Sequence, residues 1–236
     1  MIRAVFFDRD GTLTHGDQGK YEEMYAYIRR VTGNEAFQGL AETFMDYHRK
    51  AVAAVGEYVT LNTLEKETEF WIKYYELVFR DFGTGLDCVE ESRKLQRLFP
   101  QYALKVLYPE TLEVLEYCRS GGYFMGIISD TGPSLRLSIE ELGVDRFFSR
   151  YVAGAEYGTW KPDPVVFQAA IEGTDLRPDE CVYVDDYVVE SDGARNFGFV
   201  SFNIVRDTTK ERRDRWQVSS LLDIVGYLER TRTDGH

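Results

Sequence analysis

The sequence predicts an α/β protein: a Rossmann-like, doubly wound parallel sheet, with an all-helical block inserted into it. Three observations carry that expectation. Short apolar runs of the kind buried on both faces of a parallel sheet recur at Ala4-Val5-Phe6-Phe7, Tyr123–Ile128, Phe147–Ala153, Cys181–Val184 and Phe199–Ile204. Segments with apolar residues at helical spacing alternate with the later runs. Between the first run and the second lies the stretch 16–106, where every periodic segment is helical.

Taken in order, the first run ends in Asp8-Arg9-Asp10-Gly11-Thr12-Leu13-Thr14. Two carboxylates two residues apart would project from the C-terminal end of a strand, and a glycine follows where the chain turns. His15 to Gly19 is polar and glycine-bearing and reads as a hinge. From Lys20 to about Gly56 apolar residues fall at helical spacing (Tyr21, Met24, Tyr25 and Ile28, then Leu40, Phe44, Tyr47 and Ala51). A helix from about Leu61 to Phe82 stops at Gly83, and another spans about Asp87 to Leu98, before Pro100. A second hinge is expected from Pro100 to Pro109. The α/β alternation then resumes with a helix from Thr111 to Arg119, the strand ending in Ser129-Asp130, and a helix from Ser134 to Leu142 closed by Gly143. The strand Phe147–Ala153 leads into the constrained loop Gly158-Thr159-Trp160-Lys161-Pro162-Asp163-Pro164, and a helix follows over Val165–Glu172. The strand Cys181–Val184 ends in Asp185-Asp186, a helix covers Ser191–Phe197, and Phe199–Ile204 is expected to be the last strand. A helix from Leu221 to Leu228 closes the chain, with frayed polar residues after it. These boundaries divide the chain into a core of residues 1–15 and 107–236 and a helical domain of residues 16–106.

The composition sets limits on function. The chain has 236 residues, 44% hydrophobic and 29% charged, enough for one domain with a sizeable insert. No apolar stretch approaches the roughly 20 residues that span a bilayer, so no membrane role is expected. The net charge of −12 comes from scattered acids rather than a tail, which argues against a nucleic-acid partner, since that needs a basic stripe. The same field repels anionic substrates, so a phosphate site would have to be made locally positive by a cation, a lysine and backbone N–H groups. Cys88, Cys118 and Cys181 lack metal-ligand spacing. With no signal-peptide pattern after Met1-Ile2-Arg3, they fit buried thiols in a cytoplasmic protein.

In an open α/β sheet, ligands bind beyond the carboxyl ends of the strands. Three strands bring Asp8 and Asp10, Ser129, and Asp185 and Asp186 to that edge, and a loop adds Lys161. A calcium loop is excluded, because Leu13 and Gly19 stand where it needs a glycine and a closing glutamate. The set suits phosphoryl transfer instead. One carboxylate attacks, a second moves a proton, and a divalent cation held by Asp8 and Asp186 joins a lysine and a hydroxyl in neutralising the phosphoryl oxygens.

The ordered set Asp8-x-Asp10-Gly11-Thr12, Ser129, Lys161-Pro162-Asp163-Pro164 and Val184-Asp185-Asp186 with Glu190 resembles the haloacid dehalogenase (HAD) superfamily along residues 1–15 and about 107–205. The resemblance implies a HAD-like core with a helical cap inserted after the first motif. It implies Mg²⁺ held by Asp8, the Asp10 backbone carbonyl and Asp186, with Asp185 and Glu190 serving its surroundings. Asp8 would form an aspartyl-phosphate, and Asp10 would protonate the leaving oxygen and then activate water. Ser129 and Lys161 would grip the phosphoryl oxygens, beside Asp130, Gly11 and Thr12 on the substrate side. Asp130 stands where the family commonly has Asn, and Asp185 where it frequently has Gly.

The implied activity is phosphatase action on a small phosphorylated metabolite. A phosphomutase is the alternative, and a non-catalytic interaction protein with this fold is a further one. Asp10 argues against dehalogenation, which has no leaving oxygen to protonate. The aromatics of the helical block (Tyr21, Tyr25, Phe44, Tyr47, Trp71, Tyr74 and Tyr75) are expected to be bundle core. Trp160 is read as packing or facing the crevice, and Lys20 as lying on the phosphate side or the surface.

Overall fold

A computed structural model describes residues 1–207, 209 and 214–233. In chain order the elements are β1 (Ala4–Phe7), β2 (Thr14–Gly16), α1 (Gln18–Thr32), α2 (Phe44–Val55), α3 (Leu64–Phe82), α4 (Cys88–Leu98), β3 (Lys105–Leu107), α5 (Thr111–Ser120) and β4 (Phe124–Ser129). They continue with α6 (Leu135–Glu141), β5 (Arg150–Ala153), α7 (Pro164–Ile171), β6 (Cys181–Asp185), α8 (Val188–Phe197), β7 (Val200–Ile204), β8 (Gln217–Val218) and α9 (Leu222–Thr233).

Six strands form one sheet in the order β5-β4-β1-β6-β7-β8, and every pairing in it is parallel. β1 lies between β4 and β6, in register Phe7 with Ile127 and Val184. Because side chains alternate across a strand, Val5 and Phe7 enter the apolar cluster that holds Val114, Leu135 and Ile224. Ala4 and Phe6 enter the opposite one, with Val166, Phe167 and Ala194. Helices therefore cover both faces, which is why β1 is apolar throughout and β6 is apolar up to Asp185. The chain leaves β1 for one side of the sheet and returns on the other, so the carboxyl end of β1 is the topological switch point.

Helices α1 to α4 bury a third cluster built on Met24, Ile28, Phe70, Tyr74, Val78 and Leu95. Asp17, Thr63 and Asp87 cap α1, α3 and α4 with side-chain hydrogen bonds to backbone N–H groups. Gly33, in the left-handed conformation at φ 65°, ends α1 where helical spacing continued in the sequence.

Two expectations are corrected. Residues 16–106 are not free of strand: β2 and β3 pair antiparallel, Thr14 with Leu107 and Gly16 with Lys105, so the two expected hinges are zipped together where the helices leave the sheet. β7 is not the last strand, since β8 adds to the sheet edge through Asn203 and Ile204. Of the two readings of Lys20 the structure agrees with the surface one: its side chain is 38% exposed, and its ammonium donates to the Ala103 carbonyl at 2.8 Å and lies 3.5 Å from Glu141. The residues after Leu228, expected to be frayed, instead continue α9 as far as Thr233, and residues 234–236 lie outside the described residues. Among the described residues no helix is long and apolar enough to cross a membrane.

Candidate active site

β1 delivers Asp8 to the switch point almost fully buried, with its N–H donating to the Val184 carbonyl. The chain then turns on Gly11 at φ 79°, a region that disfavours any side chain. A Cβ there would come within 2.0 Å of the Asp186 carboxylate, so the glycine also makes room for the acid from β6. Asp8, Asp185 and Asp186 offer carboxylate oxygens that all lie within 4.8 Å of one another.

Lys161 is the hub. Its side chain is 1% exposed, and its ammonium sits 2.8 Å from Asp8, 2.8 Å from Asp185 and 2.6 Å from Glu190. The loop carrying it is tied to β4, because the Lys161 N–H donates to Asp130 at 2.9 Å. Asp130 thus ties that loop to the end of β4. Glu190 arrives because α8 begins at Val188, so one helical turn brings it back over the site. Asp185 is engaged on both oxygens: it accepts from Lys161, from the Tyr183 hydroxyl at 2.5 Å and from the Tyr187 N–H at 2.7 Å. It anchors the Lys161 ammonium from the β6 side. Ser129, at the end of β4, is buried at the same sheet edge.

Four carboxylates around one ammonium leave an excess of negative charge. Burial pushes Asp8 well above the ordinary carboxylate range, with Asp185 adding to the rise and Lys161 opposing it. Burial and Asp185 raise Asp186 to about 6. Burial raises Glu190 to about 7 against the pull of Lys161. Among the described residues this metal-capable group contains no Cys or His, and an all-oxygen set suits a hard divalent cation.

A pH dependence of stability follows. Carboxyls raised in the folded state contribute stability that is full below the unfolded value of about 4 and is lost as pH rises through the raised values. Without metal, the melting temperature is expected to fall between about pH 5 and about pH 8, as Asp186 and Glu190 ionise, and Mg²⁺ should recover it at the upper end. Thermal melts with and without Mg²⁺ test this; a melting temperature that is flat or rising across that interval contradicts it. Asp10 has the opposite sign, and its contribution is lost only in stronger acid.

Asp10 faces a cavity of about 240 Å³ between the strand ends and the helical block, with its side chain 43% exposed. Burial would raise its carboxyl, but Arg9 and Lys105 hold it well below the ordinary range. The Arg9 guanidinium grips it with bonds of 2.8 and 3.1 Å, the Lys105 ammonium lies at 3.2 Å, and the Thr14 hydroxyl donates at 3.1 Å. Neither cation belongs to the set singled out from the sequence. Lys105 is brought in by the β2–β3 pairing.

Two further residues escaped sequence reasoning. Arg206, beyond β7, donates to the carbonyls of Gly11 at 3.1 Å and Thr12 at 2.6 Å, pairs with Glu110 at 2.7 Å and lies over the Tyr108 ring. It fixes the turn after Asp8 from the far side. Glu67 of α3, 4% exposed, accepts from the Ser134 N–H and hydroxyl ahead of α6 and from the Tyr58 hydroxyl. A Cβ at Gly132 would meet that carboxylate at 2.4 Å, so the glycine lets the helical block seat against the core. Trp160 stacks on Tyr58 in the same contact, which gives it a packing role.

Comparison with known proteins identifies the family of the chain. Residues 2–198 match the family model of haloacid dehalogenase-like hydrolases. The chain is 27% identical over 239 residues to (S)-2-haloacid dehalogenase 4A of Burkholderia cepacia, covering 98% of this chain and 97% of that one. It is 25% identical over 219 residues to the glyceraldehyde 3-phosphate phosphatase of Methanopyrus kandleri, covering 91% and 89%. The crystal structure of a 2-haloacid dehalogenase from Pseudomonas syringae pv. Tomato DC3000 shares the fold at a TM-score of 0.69 and 19% identity, over 98% of this chain and 99% of that one.

Proposed function

The chain belongs to the haloacid dehalogenase-like hydrolases, and from that membership and the acids at its strand ends we propose a Mg²⁺-dependent phosphatase acting on a small phosphorylated metabolite. The observation that carries this reading is the cluster of Asp8, Asp185 and Asp186 beside a second acid, Asp10, that faces the cavity. Displacing halide from a 2-haloacid requires neither a proton donor nor a cation, and this much negative charge would repel the substrate's carboxylate. A phosphate ester needs both.

The Asp8 carboxylate attacks phosphorus, and the bond to the leaving oxygen breaks. Lys161, held by Asp185 and Glu190, keeps Asp8 oriented and stays protonated among three acids. Asp10 delivers a proton to the leaving oxygen, then accepts one from the water that hydrolyses the aspartyl-phosphate. Arg9 and Lys105 oppose protonation of Asp10 in the resting site. The entering phosphate dianion competes for both cations, so Asp10 takes up a proton from solvent as the ester binds and carries it to the leaving oxygen. Asp8 and Asp186, with the Asp10 carbonyl, would hold Mg²⁺, which when bound supplies positive charge against the phosphoryl oxygens. The helical block acts as a cap over the cavity, whose volume suits small molecules rather than phosphoproteins.

The test is a panel of phosphorylated metabolites and 2-haloacids, assayed with Mg²⁺ and after chelation. Phosphate release that stops on chelation and returns with Mg²⁺ is expected. Halide release without phosphate release, or full phosphatase activity after exhaustive chelation, contradicts the reading.

A further inference from the structure

The turn after Asp8 holds itself together only in part. The Leu13 and Thr14 N–H groups both donate to the Arg9 carbonyl, and the Gly11 N–H donates to the Thr14 carbonyl at 2.7 Å. These bonds leave over the carbonyls of Gly11 and Thr12. One side chain takes both: Arg206 donates from Nε to Gly11 at 3.1 Å and from Nη2 to Thr12 at 2.6 Å. Its Nη1 donates to Glu110 at 2.7 Å, and its central carbon lies 3.3 Å from the centre of the Tyr108 ring. All three nitrogens of the guanidinium and its flat face are therefore in use. Arg206 lies past residue 198, where the match to the family ends, so membership assigns it no role.

The clamp is anchored at its own ends. The Val205 N–H donates to the Val218 carbonyl at 2.8 Å, so the pairing of β8 with β7 fixes the backbone from which Arg206 departs. Glu110 also accepts from the Ser220 hydroxyl at 3.3 Å. Burial raises the Glu110 carboxyl, but the bond and charge of Arg206 bring it below its ordinary value, so it meets the guanidinium ionised. Tyr108, under the guanidinium, donates its N–H to the Leu13 carbonyl at 3.0 Å and so returns to the turn. The place of that turn matters on both sides of Gly11. Asp10 precedes it, and Asp186 packs so closely on it that a Cβ would lie 2.0 Å from the carboxylate. A small displacement of the turn therefore moves Asp10 and Asp186 together.

We propose that Arg206 is a positioning residue for hydrolysis: through its two bonds to the Gly11 and Thr12 carbonyls it sets Asp10 and Asp186 relative to Asp8, without touching the substrate. The chemistry it serves rests on the phosphatase reading of those acids; the clamp itself rests on the hydrogen bonds alone. Geometry carries the role more than charge does. A planar guanidinium holds two consecutive carbonyls in register while its face stacks on a ring, which the compact ammonium of a lysine does not reproduce. Water would bond each carbonyl singly and leave their relative placement free.

Arg206→Lys and Arg206→Met are compared in the full chain with Arg3→Met, which removes the ion pairs to Asp175 and Glu180 at the opposite end of β1. Turnover is measured at saturating Mg²⁺ on whichever phosphate esters or 2-haloacids the parent accepts. Both Arg206 variants should lose about tenfold or more in kcat with much less change in KM, while Arg3→Met keeps the parental kcat. Arg206→Lys still offers Glu110 a positive charge, so it should keep more of the melting temperature than Arg206→Met, and rate and stability then part company. Hydrogen exchange of the Arg9–Thr14 amides, followed without metal or substrate, reads the clamp whether or not anything is turned over. It should quicken by about tenfold or more in both Arg206 variants and stay parental in Arg3→Met. Parental kcat in Arg206→Lys, a kcat loss that Arg3→Met shares, or turn amides that exchange at the parental rate overturns the proposal. Halide release without phosphate release, slowed in the Arg206 variants, overturns the phosphatase reading and leaves Arg206 as the positioning residue. With neither product released, the phosphatase reading falls and the exchange rates alone decide whether Arg206 sets the turn.

Discussion

Asp8→Asn is expected to lower phosphatase turnover by about a thousandfold or more while leaving the protein folded. An amide does not attack phosphorus, and no other acid in the site can take over the attack. Asp185 is bound on both oxygens and Glu190 is spent on Lys161. Asp186 packs against the Gly11 turn, where it would hold the cation rather than meet phosphorus. The fold should tolerate the change, because Lys161 keeps two carboxylate partners and the site loses one of four crowded negative charges. Without metal the melting temperature is expected to match or exceed that of the unmodified protein. Substantial turnover in this variant would remove Asp8 from the nucleophile role, and a collapse of stability would mean that its charge is needed structurally.

Lys161→Met is expected to have the largest effect on stability. It strips from Asp8, Asp185 and Glu190 the one ammonium that pairs with them among the described residues, in a region where the lysine side chain is 1% exposed. Breaking a buried ion pair by removing one partner costs about 3–5 kcal/mol, because the remaining charges are left uncompensated. Activity should vanish with it, since Asp8 loses its orientation. The sign of the pH effect identifies the cause. With the ammonium gone, the folded-state carboxyls rise further above their unfolded values. The lost stability should then return as pH falls and the acids become neutral. Chemical denaturation at two pH values reads this directly. A variant as stable as the parent at neutral pH, or one whose deficit deepens in acid, would contradict the account of Lys161 as hub.

The sequence exposed what is short in range or strongly patterned. β1, β4 and β6 are apolar on both faces, so their positions and the acids at their ends were legible, as was the return of Glu190 one helical turn after Asp186. β2, β3 and β8 were not, because strands of two or three residues carry no periodicity and exist through pairing with distant partners. The same reason hid Lys105, whose place beside Asp10 depends on the β2–β3 register. Arg206 reaches the Gly11–Thr12 carbonyls across nearly the whole chain, and Glu67 meets Ser134 across the contact of two separate cores. Arg9 was visible between two aspartates, but its side chain turns inward to Asp10 and Ser138, which no local pattern announces.

The claim at the centre of this account is that Asp8 becomes covalently phosphorylated. It is tested most directly in Asp10→Asn, where hydrolysis of the intermediate should slow more than its formation, by rapid acid quench with a phosphorylated substrate and Mg²⁺ followed by peptide mass analysis. The account predicts that a phosphoryl group accumulates on the peptide carrying Asp8 within a single turnover and is absent from Asp8→Asn. Steady release of phosphate with no phosphorylated Asp8 peptide at any quench time, or a phosphoryl group on another residue, would contradict it.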